Sequence, residues 1–204
     1  SYNRIGTTID DALGEAFDKT ARLLNMEYPG GPEIEKYAKE GDENKYKLPL
    51  PLINEKNCHF SFAGLKSAVA NVVAENKCTE KFKKDMSASF QKTINQILFT
   101  KAQNAIEHFK SISKTKQKIK IVVAGGVAAN KSLRGALTKL ESTHQCEFLF
   151  PSIKYCTDNG AMIALAGIER FERSMFNKLD FKPKPRWPLD KDALFMKGKR
   201  IVGE

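Results

Sequence analysis

The chain has 204 residues, a formal net charge of +10 and an apolar fraction of 41%. That length favours one domain with room for two small lobes, and the apolar fraction supports a real core. No apolar run reaches the length of a membrane span and no signal peptide precedes the first helix. The four scattered cysteines (Cys58, Cys78, Cys146, Cys156) show neither a CxxC nor a zinc spacing, so reduced thiols in the cytoplasm are expected. The positive charge suits an anionic partner such as RNA; a lysine-rich composition without a dedicated surface accounts for it equally well.

In chain order, Thr8 to Asn25 reads as a helix, with Ala12, Ala16, Phe17, Leu23 and Leu24 at helical spacing. "YPGGP" (Tyr28 to Pro32) stops it, and a short helix follows from Glu33 to about Glu40. Gly41 to Asn57 is polar and reads as a loop. Phe60 and Phe62 alternate as in a strand before the pattern turns helical to about Glu75. Lys81 to Phe109 carries one apolar stripe: Phe82, Met86, Phe90, Ile94, Leu98, Ala102, Ala105 and Phe109. A helix of that length without internal caps is expected either as one element or as two. "KIKIVVAGG" is a short buried strand, "ANKSLRGALTKLEST" a helix with Leu133, Ala136, Leu137 and Leu140 facing inward, and "CEFLFPS" a second strand. "TDNGAMIALAGIERFERSM" is a helix rich in small residues, which predicts close packing against a neighbour. From Phe176 the chain is Lys/Pro-rich and irregular, with Trp187 as an expected anchor. The final strand–helix–strand–helix order is a βαβ unit, for which a right-handed crossover is expected.

Three places invite chemistry. Gly125 and Gly126 fall where a strand gives way to a helix, the position at which open α/β sheets bind ligands. Glycine lets backbone come close to a phosphate or a flat ring, and a helix N-terminus offers unpaired N–H groups. The spacing is neither GxGxxG nor a P-loop, so a plain structural turn is the stronger reading of the pattern by itself. Asn130, at the start of the next helix, reads as an N-cap or a ligand contact. Asp158 lies at the mouth of the last helix, where a carboxylate caps the helix or ligates a metal. Asp11, Glu15 and Asp18 form an acidic stripe continued by Arg22. The pattern alone favours surface pairs Glu15–Lys19 and Asp18–Arg22, with ribose binding as the alternative. The three histidines (His59, His108, His144) share no metal-binding spacing.

Taken together and in order, "IDDALGEAFDKTARLL", "YPGGP", "FSFAGLKSAV", "VVAGGVAANKSLR", "CTDNGAMIALAG" and "PRWPL" closely resemble the TsaD family, once described as glycoproteases. The resemblance runs from about Tyr2 to Leu189. It implies an α/β fold of the actin/Hsp70/sugar-kinase type, in which residues 1–189 form the C-terminal lobe. The helical part would cover about 8–112, the α/β part about 118–175, and residues 190–204 would be a basic tail. It implies transfer of a threonylcarbamoyl group from threonylcarbamoyl-AMP to the N6 amine of the tRNA adenosine 3′ of the anticodon. ATP or AMP would occupy the same site, an iron or zinc ion would hold the donor, and TsaB and TsaE would be partners. Carried over residue by residue, Asp18, Gly31, Gly125, Gly126 and Asn130 are expected to bind substrate, Glu15 sits in the same acidic motif, and Asp158 is expected to ligate the metal. Lys66, Lys131 and Arg134 are candidates for contacts to the RNA backbone.

The departures from the family pattern are an absent phosphate loop, HxxxH metal motif and "SGGHT" segment. The expectation is therefore a C-terminal half beginning at Ser1, with weak metal binding and weak or no turnover. The rivals are a non-catalytic nucleotide-binding or partner-scaffolding lobe and a metallopeptidase. No HExxH supports the latter. A scaffold would have no need to keep Asp18, Gly31, Asn130 and Asp158 together.

Overall fold

The computed structural model describes residues 2–113, 117–183, 187–193, 195–197 and 200–202. Its elements are α1 (Leu13–Leu23), α2 (Gly30–Ala38), α3 (Ala63–Glu75), α4 (Glu80–Ser113), β1 (Ile119–Val122), α5 (Lys131–Thr138), β2 (Cys146–Leu149), α6 (Gly160–Glu172), β3 (Phe195–Lys197) and β4 (Arg200–Val202). Short 3-10 turns cover Gly126–Ala129, Lys139–Ser142 and Ile153–Tyr155. The architecture is a helix-rich α/β arrangement with a small parallel sheet. β1 and β2 pair in parallel, with Ile119 opposite Cys146 and Val122 opposite Leu149.

Two cores follow from the apolar pattern. The first gathers Phe17 and Ala21 of α1, Ile34 of α2, Leu65 and Val69 of α3, and Met86, Phe90, Ile94 and Ile97 of α4. Phe17 and Phe90 meet edge to face at 5.2 Å between ring centroids, a geometry that adds to their burial. The second core joins Ile119 of β1, Leu133 and Leu137 of α5, Cys146 and Phe148 of β2, and Ile106 of α4. Thus α4, a single helix of 34 residues, spans both. Leu13, Leu98 and Val127 pack against each core, which puts the turn after β1 on the seam between them. The two cores are distinct groups of side chains, and α4 contributes to both.

Several expectations need correction. The first helix begins at Leu13, not Thr8, because the residues before it are held by a non-local pairing. The Phe60 N–H donates to the Thr7 carbonyl and the Ile9 N–H to the Phe60 carbonyl, both at 2.9 Å. Asp10 then accepts the N–H of Phe62 at 2.7 Å, at the start of α3. The strand expected at Phe60 is this one parallel bridge to Thr8. "YPGGP" does not lie wholly outside a helix, since α2 starts at Gly30. The α4 stripe holds to Ile94, then drifts to Ile97 and Ile106, and leaves Phe109 at 41% exposure. The helix expected across Ala129 to Thr143 is divided between α5 and two 3-10 turns.

The small-residue helix α6 buries none of its residues, so the close packing expected of it is not formed within the described part of the chain. Its Ile163, Leu165 and Phe171 are exposed. Trp187, expected as an anchor on a surface tail, is 72% exposed. The tail expected to be irregular contains an antiparallel pair, β3 with β4; its residues 194, 198–199 and 203–204 lie outside the described residues, as do Pro185 and Arg186 of the "PRWPL" motif. Among the described residues no helix is long and apolar enough to cross a membrane. All four cysteines are free thiols, and burial pushes those of Cys58 and Cys146 up from their ordinary values.

Candidate functional site

The seam opens into a cleft of about 380 Å³, within the range of small-molecule sites. One wall is α1 and the start of α2. The other is the turn Gly126–Ala129 with the first residue before α5, and Thr157 closes the end. The local chemistry explains each wall.

Asp18 projects from α1 and accepts the Gly30 N–H at 2.8 Å. That bond satisfies one of the orphan donors at the start of α2, so Asp18 caps a helix other than its own. Gly30 is required there: a Cβ would come within 2.6 Å of the Ala21 Cβ and 2.8 Å of the Asp18 Cα. Gly31 differs, since a Cβ on it would meet nothing within 4 Å. Its backbone borders the open cleft.

Across the cleft, Gly125 has φ of +94°, a conformation that side chains rarely adopt, and so turns the chain out of β1. Gly126 lines the cleft, again with no atom within 4 Å of a would-be Cβ. Asn130 is the N-cap of α5: its Oδ1 accepts the Leu133 N–H at 2.9 Å. Its Nδ2 donates to Oε1 of Gln91 on α4 at 2.7 Å. Asn130 is 7% exposed, yet it lines the cleft, and it keeps one donor hydrogen and one acceptor lone pair beyond those two bonds.

Four expected substrate residues, Asp18, Gly31, Gly126 and Asn130, therefore border one cavity. Three other expected site residues are not part of its lining. Gly125 makes the turn behind it. Glu15 is exposed on α1 and pairs with Lys19 at 2.6 Å; the same ammonium reaches Asp11 at 2.8 Å, and these carboxylates, Asp11 foremost, raise its pKa. Asp158 is exposed and adjoins Thr157, which does line the cleft. The cap of α6 is its neighbour Asn159, which accepts the Met162 N–H at 3.0 Å, so Asp158 is not the N-cap.

Among the described residues no three His, Cys, Asp or Glu side chains assemble as a metal-binding group. Asp158 is a single carboxylate, and by themselves the residues around the cleft do not fit a tightly held iron or zinc ion.

Glu35 was not singled out by the sequence, although it lines the cleft and accepts the Lys131 N–H at 2.7 Å. It lies four residues after Gly31, hence on the same face of α2, which is the signal that could have found it. Thr157 was quoted only as the neighbour of Asp158. Of the basic candidates, Lys131 is exposed beside the cleft, whereas Lys66 is half-buried and lines a separate hollow with Lys19 and Arg22. Arg134 is committed to three protein acceptors and is not offered to a ligand.

The sequence profile of TsaD, described as tRNA N6-adenosine threonylcarbamoyltransferase, matches residues 1–165. A protein of that name from Pelagibacter ubique is 56% identical over 198 residues, covering 97% of this chain and 55% of the relative. Those from Rickettsia rickettsii and Bartonella tribocorum are 50% and 47% identical, covering 93% and 95% of this chain and 55% of each relative. The chain thus spans about half the length of the relatives it matches. With more than three quarters of its residues inside the family profile, this chain belongs to the TsaD family.

Proposed function

We propose that the chain forms the adenylate-binding part of a tRNA N6-adenosine threonylcarbamoyltransferase of the actin/Hsp70/sugar-kinase fold, working in the cytoplasm. The observation that carries this reading is the single cleft bordered by Asp18, Gly31, Gly126 and Asn130. Asp18 and Asn130 also cap helices, but Gly31 and Gly126 meet nothing within 4 Å on the cleft side, which leaves room for a ligand against their backbone.

In this reading the donor is threonylcarbamoyl-AMP, with ATP or AMP as occupants of the same cleft. Gly31 and Gly126 let the base and phosphate approach the backbone. The Asp18 oxygen not bonded to Gly30 accepts from a ribose hydroxyl, and the spare Asn130 amide hydrogen donates to the nucleotide. Transfer forms a bond from the N6 amine of adenosine to the carbamoyl carbon, breaks the bond from that carbon to the phosphate oxygen, and releases AMP and one proton. These residues contribute mainly by holding two large substrates in register. Asp158 would be one ligand of an iron or zinc ion only if further ligands came from outside the described residues, and no step is assigned to a metal. The net charge of +10 supports a polyanionic partner such as tRNA, and the family resemblance adds TsaB and TsaE.

A segment exchange tests this. The matching part of the Pelagibacter ubique relative is replaced by this chain, and the chimera is assayed with threonylcarbamoyl-AMP and unmodified tRNA. Modification of the tRNA is expected. Asp18→Asn, which keeps an acceptor for the Gly30 N–H but removes the charge, should lower kcat/KM about ten- to a hundredfold. A folded chimera that binds tRNA and never modifies it would contradict the proposal.

A further inference from the structure

Arg134 ties one wall of the cleft to the segment that closes its end. From the first turn of α5 its Nε donates to the Ala128 carbonyl at 2.6 Å, inside the glycine turn. Its Nη2 donates to the Pro151 carbonyl at 2.8 Å and lies 3.3 Å from Cys156 Sγ, both in the segment between β2 and α6. The guanidinium stands 4.9 Å from the centroid of the Phe150 ring. Cys156 is 4% exposed, and the next two residues are Thr157 in the cleft wall and Asp158. One planar side chain thus touches the Gly126–Ala129 turn, the exit of β2 and the residue just before Thr157. A guanidinium can do this because its donors are fixed in a fork; a lysine ammonium presents a point charge on a flexible stem and cannot span the same acceptors.

We propose that Arg134 is a positioning residue: it sets the separation between the glycine turn and the Thr157–Asp158 segment, and so how the cleft is closed at that end, without touching the ligand. The functional consequence rests on the adenylate reading above; the geometric part does not. The segment has protection to lose, because the Tyr155 N–H bonds the Ser152 carbonyl at 2.8 Å and the Cys156 N–H bonds the Ile153 carbonyl at 3.1 Å. These short bonds close only a 3-10 turn, and a partner outside the turn must hold it in place.

Hydrogen exchange by mass spectrometry on the whole chain, with AMP titrations alongside, tests this in Arg134→Met and Arg134→Lys. In Arg134→Met, exchange at 151–158 should rise about ten- to a hundredfold, as expected for the loss of charge-assisted bonds. Exchange in α1 to α4 should be unchanged, Arg134→Lys should give a smaller rise, and AMP affinity should fall in parallel with the rise. Unchanged exchange at 151–158 in both variants would overturn the proposal. So would an equal rise throughout α1 to α4, which would make Arg134 a general stabiliser. If the exchange pattern is as expected while the unsubstituted chain shows no AMP binding at all, the geometric role of Arg134 stands and the adenylate reading fails.

Discussion

Gly30 and Gly31 are adjacent in the sequence and serve opposite ends. Gly30 is where α2 crosses α1 so closely that even a methyl group collides with the Ala21 side chain and the Asp18 backbone. Gly31 faces open cleft. Gly30→Ala should therefore destabilise the fold by about 1–3 kcal/mol, the usual range for overpacking, in urea unfolding, whereas Gly31→Ala should leave stability within about 0.5 kcal/mol. Equal effects would contradict the division of roles. The sequence presents each glycine pair as one signal, and the second pair divides as well: Gly125 supplies the positive φ and Gly126 the wall. Asn130 was legible as an N-cap because that role is local. Its bond to Gln91 was not, since 39 residues separate the partners. Asp18 looked like a surface partner of Arg22, because the chain gives no sign that the start of α2 will turn back onto α1.

At the level of elements, α4 organises the loop before α3 through polar side chains on a largely apolar helix. Asp85, 3% exposed, accepts the Asp42 N–H at 2.9 Å and pairs with Lys81 at 3.1 Å. The Asp42 N–H first, then the Lys81 ammonium, hold its carboxyl below the ordinary carboxylate value against the opposing effect of burial. A carboxyl with its folded value depressed contributes stability above the unfolded value near ~3.9, and that contribution is lost as pH falls through the folded value. Asp85→Asn should lower unfolding free energy by about 1–3 kcal/mol at pH 7, with the difference from the unsubstituted chain shrinking as pH falls below the unfolded value near ~3.9. A difference independent of pH would show that the charge contributes nothing. Lys101, 1% exposed, makes a second tie by donating to the carbonyls of Glu55 at 2.8 Å and Asn57 at 3.1 Å. Burial lowers its pKa. Periodicity revealed α4 itself, yet not these ties, because a buried Asp or Lys breaks the apolar stripe from which the helix was read. The small and apolar residues of α6 predict burial, and no described element covers them.

For the molecule as a whole, the informative feature is that the cleft lies on the seam of two cores, where α1, α2 and the turn after β1 meet. The parallel pairing of β1 with β2 could be read from the intervening helix. The bridge of Thr8 to Phe60 could not, because nothing local encodes a pairing across 52 residues. The cleft-lining residues became recognisable only as a set of motifs in order; each alone has an ordinary structural explanation, and Asp18 and Asn130 in fact fill those ordinary roles as well. The claim on which the rest depends is that this seam accepts an adenine nucleotide. An amide chemical-shift titration of the chain with AMP tests it most directly. Saturable shifts centred on Gly31, Gly126, Val127 and Thr157 are predicted, diminished in Asp18→Asn. An absence of saturable shifts at millimolar AMP, or shifts confined to the separate hollow around Thr138 to Cys146, would contradict it.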